Sequence, residues 1–265
     1  MNIFIDIDGV GLEPNEKSKK HVREKGKSLT IIPQNYTIID IETTGLDPQF
    51  DEIIEIAALK IQDGSIVAEF SSLVKPSGYY IDLDDGDDVY GYVSEFITDL
   101  TGITNDMLGT APSIKDVAPK FTNFIKDDVL VGHNINFDVN FLYDTLLEDL
   151  NYKFNNDFVD LMRLGRKIYP EFKNHKLNTI AKNLGVNTLN SHRALIDCNI
   201  TFECFFKLSE YVSNNSIDLD DLFRKKGKSL DLKSLQSNHS DFDKDHSLYD
   251  KFCTFTTICA KSPLL

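Results

Sequence analysis

The stretch Tyr36-Thr-Ile-Ile-Asp-Ile-Glu-Thr-Thr-Gly45 constrains this chain more than any other. Its apolar run, rich in β-branched residues, reads as a buried strand over residues 37–42. Side chains two apart on a strand share a face, so Asp40 and Glu42 stand side by side. Two carboxylates on one face of a buried strand repel each other and are costly to desolvate. The arrangement makes sense if a divalent cation sits between them. A hard cation such as Mg²⁺ takes oxygen ligands and uses one or two carboxylates together with substrate phosphate. The strand therefore points to phosphoryl chemistry on a nucleotide or nucleic acid.

Around this strand the chain reads as a mixed sheet flanked by helices, an α/β architecture. Residues 52–62 and 65–73 read as two further strands joined at Asp63-Gly64, a hairpin signal, which gives an antiparallel three-stranded start. Strand and helix then alternate. Helices are expected over 105–108 and 113–125, the second started by Pro112. A short strand at 129–131 leads through Gly132-His-Asn-Ile-Asn-Phe-Asp138 into a helix with the stripe Val139, Leu142, Tyr143, Leu146 and Leu150. A strand at 158–160 follows, then helices over 161–168, 177–184 (ended by Gly185) and 194–211. Residues 1–30 read as an N-terminal extension, 31–212 as one domain, and 213–265 as a linker and tail of low apolar density. Residues 79–95, with Asp82, Asp84, Asp85, Asp87 and Asp88, read as a solvated acidic insert that lacks the spacing of an EF-hand loop.

Charge and composition narrow the function. A net charge of −14 argues against a protein that coats nucleic acid through bulk electrostatics, but not against one that holds a strand end at a cation-loaded pocket. Three basic clusters stand out: residues 17–27, then Arg163, Arg166, Lys167, Lys173 and Lys176, then residues 224–228. The first and third read as solvated charge runs, whereas the second lies between catalytic candidates and suits phosphate contact. No stretch approaches the ~18 apolar residues of a membrane span. The N-terminus carries acids where a signal peptide needs basic and then apolar residues, so a cytoplasmic protein is expected. The four cysteines, Cys198, Cys204, Cys253 and Cys259, form no metal-spaced pair and read as free, mostly buried thiols.

Three further residues carry chemistry. Asp138 falls in the first turn of its helix, where the helix dipole alone would favour a carboxylate. His192 and Asp197 are five apart and so do not share a helix face. One consistent solution places Asp197 on the long helix and His192 on the loop just before it. A loop histidine can swing toward a substrate, and its ordinary titration range suits a general base.

Taken in order, Asp-x-Glu-Thr-Thr-Gly from Asp40, His-Asn-x-x-Phe-Asp ending at Asp138, and His-x-x-x-x-Asp from His192 resemble the DEDDh 3′→5′ exonucleases. These include the epsilon-type proofreading subunit of bacterial DNA polymerase III and the exonuclease region of Gram-positive polymerase C. The resemblance runs from about Tyr36 to Tyr211 and includes Leu100-Thr-Gly-Ile-Thr104. It implies a ribonuclease H-like exonuclease fold. It also implies two Mg²⁺ or Mn²⁺ ions held by Asp40, Glu42 and Asp197, with Asp138 ligating directly or through water, and His192 as base. Ile41, Thr43, Thr44, Gly45 and Thr101 would meet the terminal nucleotide, with Asn134 bracing the site and His192 also touching substrate. The implied partner is a single-stranded 3′ end. DNA is expected from the likeness to polymerase-linked members, with RNA or short oligonucleotides as the alternative, since the 2′-OH separates the two and no motif reports on it. A DNA polymerase partner is a further implication. The segment His246-Ser-Leu-Tyr-Asp-Lys-Phe-Cys-Thr-Phe-Thr256 resembles the first strand of a BRCT domain and reads as a truncated remnant.

Two rivals come from other classes. Phe4-Ile-Asp-Ile-Asp-Gly9 resembles the opening strand of HAD-type phosphatases, which would make Asp6 nucleophile and Asp8 acid/base, but no later Lys and Asp-Asp set supports it. A non-catalytic module that binds a strand end or a polymerase is disfavoured, because all five motif residues are present.

Overall fold

The computed structural model describes residues 2–6, 9–13, 22–78, 80–82, 89–188 and 192–224. Its strands are β1 (Asn2–Asp6), β2 (Gly9–Glu13), β3 (Ser28–Leu29), β4 (Tyr36–Thr43), β5 (Ile53–Gln62), β6 (Ser65–Leu73), β7 (Tyr80–Asp82), β8 (Val89–Gly91), β9 (Leu130–Gly132) and β10 (Phe158–Asp160). Its helices are α1 (Glu95–Thr101), α2 (Asn105–Gly109), α3 (Ile114–Ile125), α4 (Asn136–Leu150), α5 (Leu161–Ile168), α6 (Leu177–Leu184), α7 (Ala194–Asn214) and α8 (Leu219–Arg224).

Six strands form one mixed sheet in the order β3-β10-β9-β4-β5-β6. β3, β10, β9 and β4 run parallel, while β5 is antiparallel to both β4 and β6. Asp63 and Gly64 both take left-handed backbone (φ 48° and 75°), which matches the twist of the β5–β6 hairpin they close.

The sheet is covered on both sides, and β4 shows why. Tyr36 and Ile38 join Ala57, Leu59 and Ile61 of β5 in a core with α5, α6 and α7. Ile39 and Ile41 join Ile56 and Ala58 in a second core with α3 and α4. This period-two alternation sorts the whole strand, so Asp40 and Glu42 fall on the face that α7 covers. The position of the carboxylates thus follows from the same pattern that builds the core.

Several sequence expectations need correction. Helix α3 begins at Ile114 with Ser113 as its N-cap, so Pro112 stands outside it, its carbonyl accepting from the Lys75 N–H at 2.8 Å. The acidic insert contains a short antiparallel hairpin, β7–β8, followed by α1, which Ser94 caps by accepting from the Ile97 N–H. Asp84, Asp85, Asp87 and Asp88 lie outside the described residues. The packed unit also exceeds the 31–212 span. β3 adds to the sheet edge beside β10, Arg23 donates through Nε to Asp144 of α4 at 2.7 Å, and Lys25 Nζ bridges Asn136 and Asn140. Ile217, Leu219 and Phe223 pack against the first core, so the unit reaches α8 and a cut at 214 would strip part of its cover. β1 and β2 pair antiparallel in a separate sheet, with Asp6 opposite Gly9; Asp8 lies outside the described residues. The BRCT-like segment also lies outside them, as do Cys253 and Cys259, while Cys198 and Cys204 are buried free thiols.

Candidate active site

The site forms where β4 ends. Asp40 and Glu42 project toward the first turns of α7, which bring Asp197 to them. One carboxylate oxygen from each of Asp40, Glu42 and Asp197 lies within 4.8 Å of the others. Opposite Asp40 in the register stands Ala57, whose methyl leaves room for the cluster; opposite Glu42 stands Glu55. A β-bulge between Glu42 and Thr43 then bends the chain out of the ladder.

Glu55 is the site residue that the sequence reading missed. Its side chain is 2% exposed, and it receives the Arg193 guanidinium at 2.8 Å and the Ala194 backbone N–H at 2.9 Å. It therefore caps the start of α7 with a charge-assisted pair and holds Asp197 against β4. The signal was an acid inside the apolar run Ile53-Ile-Glu-Ile-Ala-Ala58, where a solvated residue would not sit. Glu55→Ala is expected to lower stability by about 2–3 kcal/mol, because Arg193 loses its partner and an orphan N–H appears. Thermal melting beside turnover checks this; unchanged values for both would remove Glu55 from the positioning of α7.

His192 sits just before α7, exposed and in left-handed backbone (φ 76°). Its N–H donates to Asp197 Oδ2 at 3.1 Å, which ties the loop end to the helix and offsets the conformational cost. The other oxygen, Asp197 Oδ1, is buried with no hydrogen-bond partner. Asp138 is buried and stands outside the three-carboxylate group; its Oδ1 accepts from the Ile41 N–H at 3.1 Å. Asn134, also left-handed (φ 58°), donates its N–H to Asp160 Oδ1 at 3.0 Å and so shapes the turn into α4.

A cleft of about 170 Å³ adjoins the carboxylates, lined by Ile41, Glu42, Thr43, Gly45, Thr101 and Phe137 among others. Its walls are internally braced. Thr43 Oγ1 donates to the Gly45 carbonyl at 2.5 Å, and Thr101 Oγ1 donates to the Ile97 carbonyl while accepting from the Ile103 N–H. Thr44 does not line the cleft; its hydroxyl bonds Asp51 and accepts from the Glu52 N–H. A Cβ on Gly45 would come within 2.3 Å of the Asp51 carboxylate, so a larger residue there would displace Asp51 from Thr44 and Asp47.

The electrostatics reflect crowded acids. Burial first, and then the neighbouring carboxylates, push Asp40 well above the usual range. Burial and the charges of Asp197, Glu55 and Asp138 raise Glu42 to about 8, against a smaller pull from Arg193. Burial raises Asp138 to about 8. Asp197 is raised by burial, partly countered by its bond from His192. An oxygen-only donor set, an orphaned buried carboxylate oxygen and acids held reluctantly neutral together fit a hard divalent cation.

Stability and pH are linked through these acids. They titrate higher in the folded than in the unfolded state, so they favour the fold at low pH. That contribution is lost as pH rises from the unfolded carboxyl range, about 4, through about 8. Divalent cation binding needs the carboxylates and releases their protons. Stability in EDTA should therefore fall between about pH 5 and about pH 8.5, while the gain in Tm from added Mn²⁺ grows over the same interval. Scanning calorimetry with and without metal checks this, and a metal effect independent of pH would contradict it.

Among known families, the Exonuclease (RNase_T) family matches residues 37–205. The chain is 38% identical over 191 residues to DNA polymerase III PolC-type of Bacillus subtilis (strain 168), covering 71% of this chain but only 12% of that polymerase. It is 37% identical over 180 residues to DNA polymerase III subunit epsilon of Aquifex aeolicus (strain VF5), covering 68% of this chain and 83% of the subunit. Among solved structures, exonuclease X in complex with 5′ overhanging duplex DNA superposes with a TM-score of 0.52 at 26% identity, over 70% of this chain and 96% of that one. The mixed six-stranded sheet with its flanking helices is thus the ribonuclease H-like exonuclease fold. The match spans the strand that carries Asp40 and Glu42, the helix that carries Asp138 and the start of the helix that carries Asp197, so the chain belongs to the Exonuclease (RNase_T) family.

Proposed function

We propose that this chain is a metal-dependent 3′→5′ exonuclease that releases nucleoside 5′-monophosphates from the 3′ end of DNA. The observation that carries the reading is the convergence of Asp40, Glu42 and Asp197 within 4.8 Å beside a braced cleft. Asp40, Glu42 and Asp197 would hold two divalent ions, Mg²⁺ or Mn²⁺, with Asp138 contributing through water. When bound, such ions neutralise charge on the attacking and leaving oxygens of an in-line displacement.

The protein's own groups supply the rest. The exposed imidazole of His192 takes the proton of the attacking water, and its tie to Asp197 keeps it at the carboxylates. The bulged Thr43–Gly45 turn, Ile41 and Thr101 form the wall against which the terminal nucleotide rests, and Phe137 offers it an aromatic edge. Asp138 fixes the β4 backbone through the Ile41 N–H, and Asn134 sets the turn that delivers α4. DNA as substrate is supported by relatives named as DNA polymerase III components, and so is a polymerase partner.

The test is product identity. Purified protein with Mg²⁺ or Mn²⁺ and single-stranded DNA should release nucleoside 5′-monophosphates, resolved by chromatography, faster than it does from RNA of matching sequence. Release of 3′-monophosphates would overturn the proposed polarity of cleavage, and faster release from RNA would move the substrate to the alternative.

A further inference from the structure

The segment after β10 is anomalous in this acidic chain. Residues 161–185 carry six Lys or Arg against one acid, Glu171, although the whole chain stands at −14. Arg163 and Lys167 are engaged within the fold: both lie over the Phe223 ring, and Arg163 donates to Ser28. Arg166, Lys173 and Lys176 are exposed and take part in no salt bridge among the described residues.

Topology sets the start of this segment on the same side of the sheet ends as the active site. β4, β9 and β10 are parallel neighbours, so their C-terminal ends emerge along one edge of the sheet. Glu42 and the Thr43–Gly45 turn lie at the end of β4, Asn134 and Asp138 follow β9, and Asp160 and α5 follow β10. Strand spacing of about 4.8 Å puts Asp160, which the register sets level with Ile39, about 10 Å across the sheet from β4 beside Asp40. The row is physically joined, because Asp160 accepts from the Asn134 N–H. The chain after α5 returns beside it, with His175 next to Gly165, and the buried Nδ1 of His133 after β9 has no hydrogen-bond partner.

Aromatic rings interleave with the cations. Tyr169 and Phe172 stack at 4.9 Å and 4°, and Phe172 stacks on His175 at 6.1 Å and 23°. His175 Nε2 bonds the Tyr169 carbonyl at 2.9 Å, and Phe172 is half-buried. The stacked rings brace the loop that carries Lys173 and Lys176, and exposed cations on a fixed frame suit the backbone of a single strand.

We propose that Arg166, Lys173 and Lys176 hold the backbone of the single strand on the 5′ side of the terminal nucleotide. The proposal rests on the exonuclease reading of the carboxylate site and assigns the path by which the rest of the strand leaves it. These residues contact the strand and not the reacting phosphate. They therefore govern KM on a polymer and leave chemistry on a mononucleotide ester unchanged.

The experiment compares wild type with Arg166→Ala/Lys173→Ala/Lys176→Ala. Binding of labelled oligothymidylate is read in Ca²⁺ across a salt series, and hydrolysis of the p-nitrophenyl ester of thymidine 5′-monophosphate is read in Mn²⁺. The expected result is a salt slope reduced by about 0.7 for each phosphate that the variant no longer neutralises, so by about 2 in all, with ester hydrolysis unchanged. Arg166→Lys should keep the slope, because the charge is retained. An unchanged slope and affinity in the triple variant would overturn the proposal, as would ester hydrolysis that falls as far as hydrolysis of the oligonucleotide. Wild type that binds but never turns over either substrate would refute the exonuclease reading, and the salt slope would still decide the strand path.

Discussion

Asp40→Ala should lower turnover at least about 10³–10⁴-fold while the protein stays folded. The loss follows from removing the central member of the oxygen cluster, worth several kcal/mol of transition-state charge stabilisation when an ion is bound. The retention of fold follows from the electrostatics: without metal, Asp40 is a buried acid pushed upward by four neighbouring carboxylates, and its removal relieves that repulsion. Melting in EDTA should therefore hold or rise, whereas the gain in Tm from Mn²⁺ should largely vanish. A variant that loses activity because it unfolds would show the opposite pattern, and one that keeps activity would dissolve the assignment of the cluster.

His192→Ala should cut kcat by about 10²–10⁴-fold, the usual span for a lost general base, with DNA affinity and metal-dependent Tm close to wild type. The split arises because the bond to Asp197 is made by the His192 backbone N–H and survives the substitution. Added imidazole should restore part of the rate. Unchanged kcat, or a loss expressed mainly as weaker metal binding, would reassign His192 from proton transfer to site assembly.

Much of this fold is legible in the sequence, and the reasons are local. β4 and β5 announce themselves as apolar runs, β5 and β6 through the Asp63-Gly64 turn between them, and α5, α6 and α7 through apolar spacing with Gly185 as a stop. Asp40 and Glu42 are legible because a strand fixes the relation of residues two apart. Asp138, His192 and Asp197 are not legible by pattern. Helix-start acids and loop histidines are common, and only their order along the chain, read as a family resemblance, singles them out. What escapes has a common cause in long-range partners. β3 is two residues long and exists only because β10 offers it an edge. Arg23 meets Asp144 across 121 positions, and Glu55 meets Arg193 across 138. Helix α1 is brief, with Phe96, Ile97 and Leu100 its few apolar side chains, so its cap rather than its periodicity is the available sign.

The architecture also accounts for how so acidic a chain can handle a polyanion. Its acids at the strand ends are the groups that gather cations, and bound cations invert the local field. Exposed basic residues outside salt bridges among the described residues follow β10, a parallel neighbour of β9 in the same sheet. Attraction that depends on cations gathered at the strand ends favours an end-acting enzyme over one that coats a strand.

The most direct test of the central claim is a 5′-labelled single strand of DNA incubated with wild type and Asp40→Ala in Mg²⁺, in Mn²⁺ and in EDTA. The account predicts a ladder that shortens stepwise from the 3′ end with either metal, and an intact strand in EDTA and with the variant. Shortening that persists in EDTA or in Asp40→Ala, or an intact strand under every condition, would contradict it.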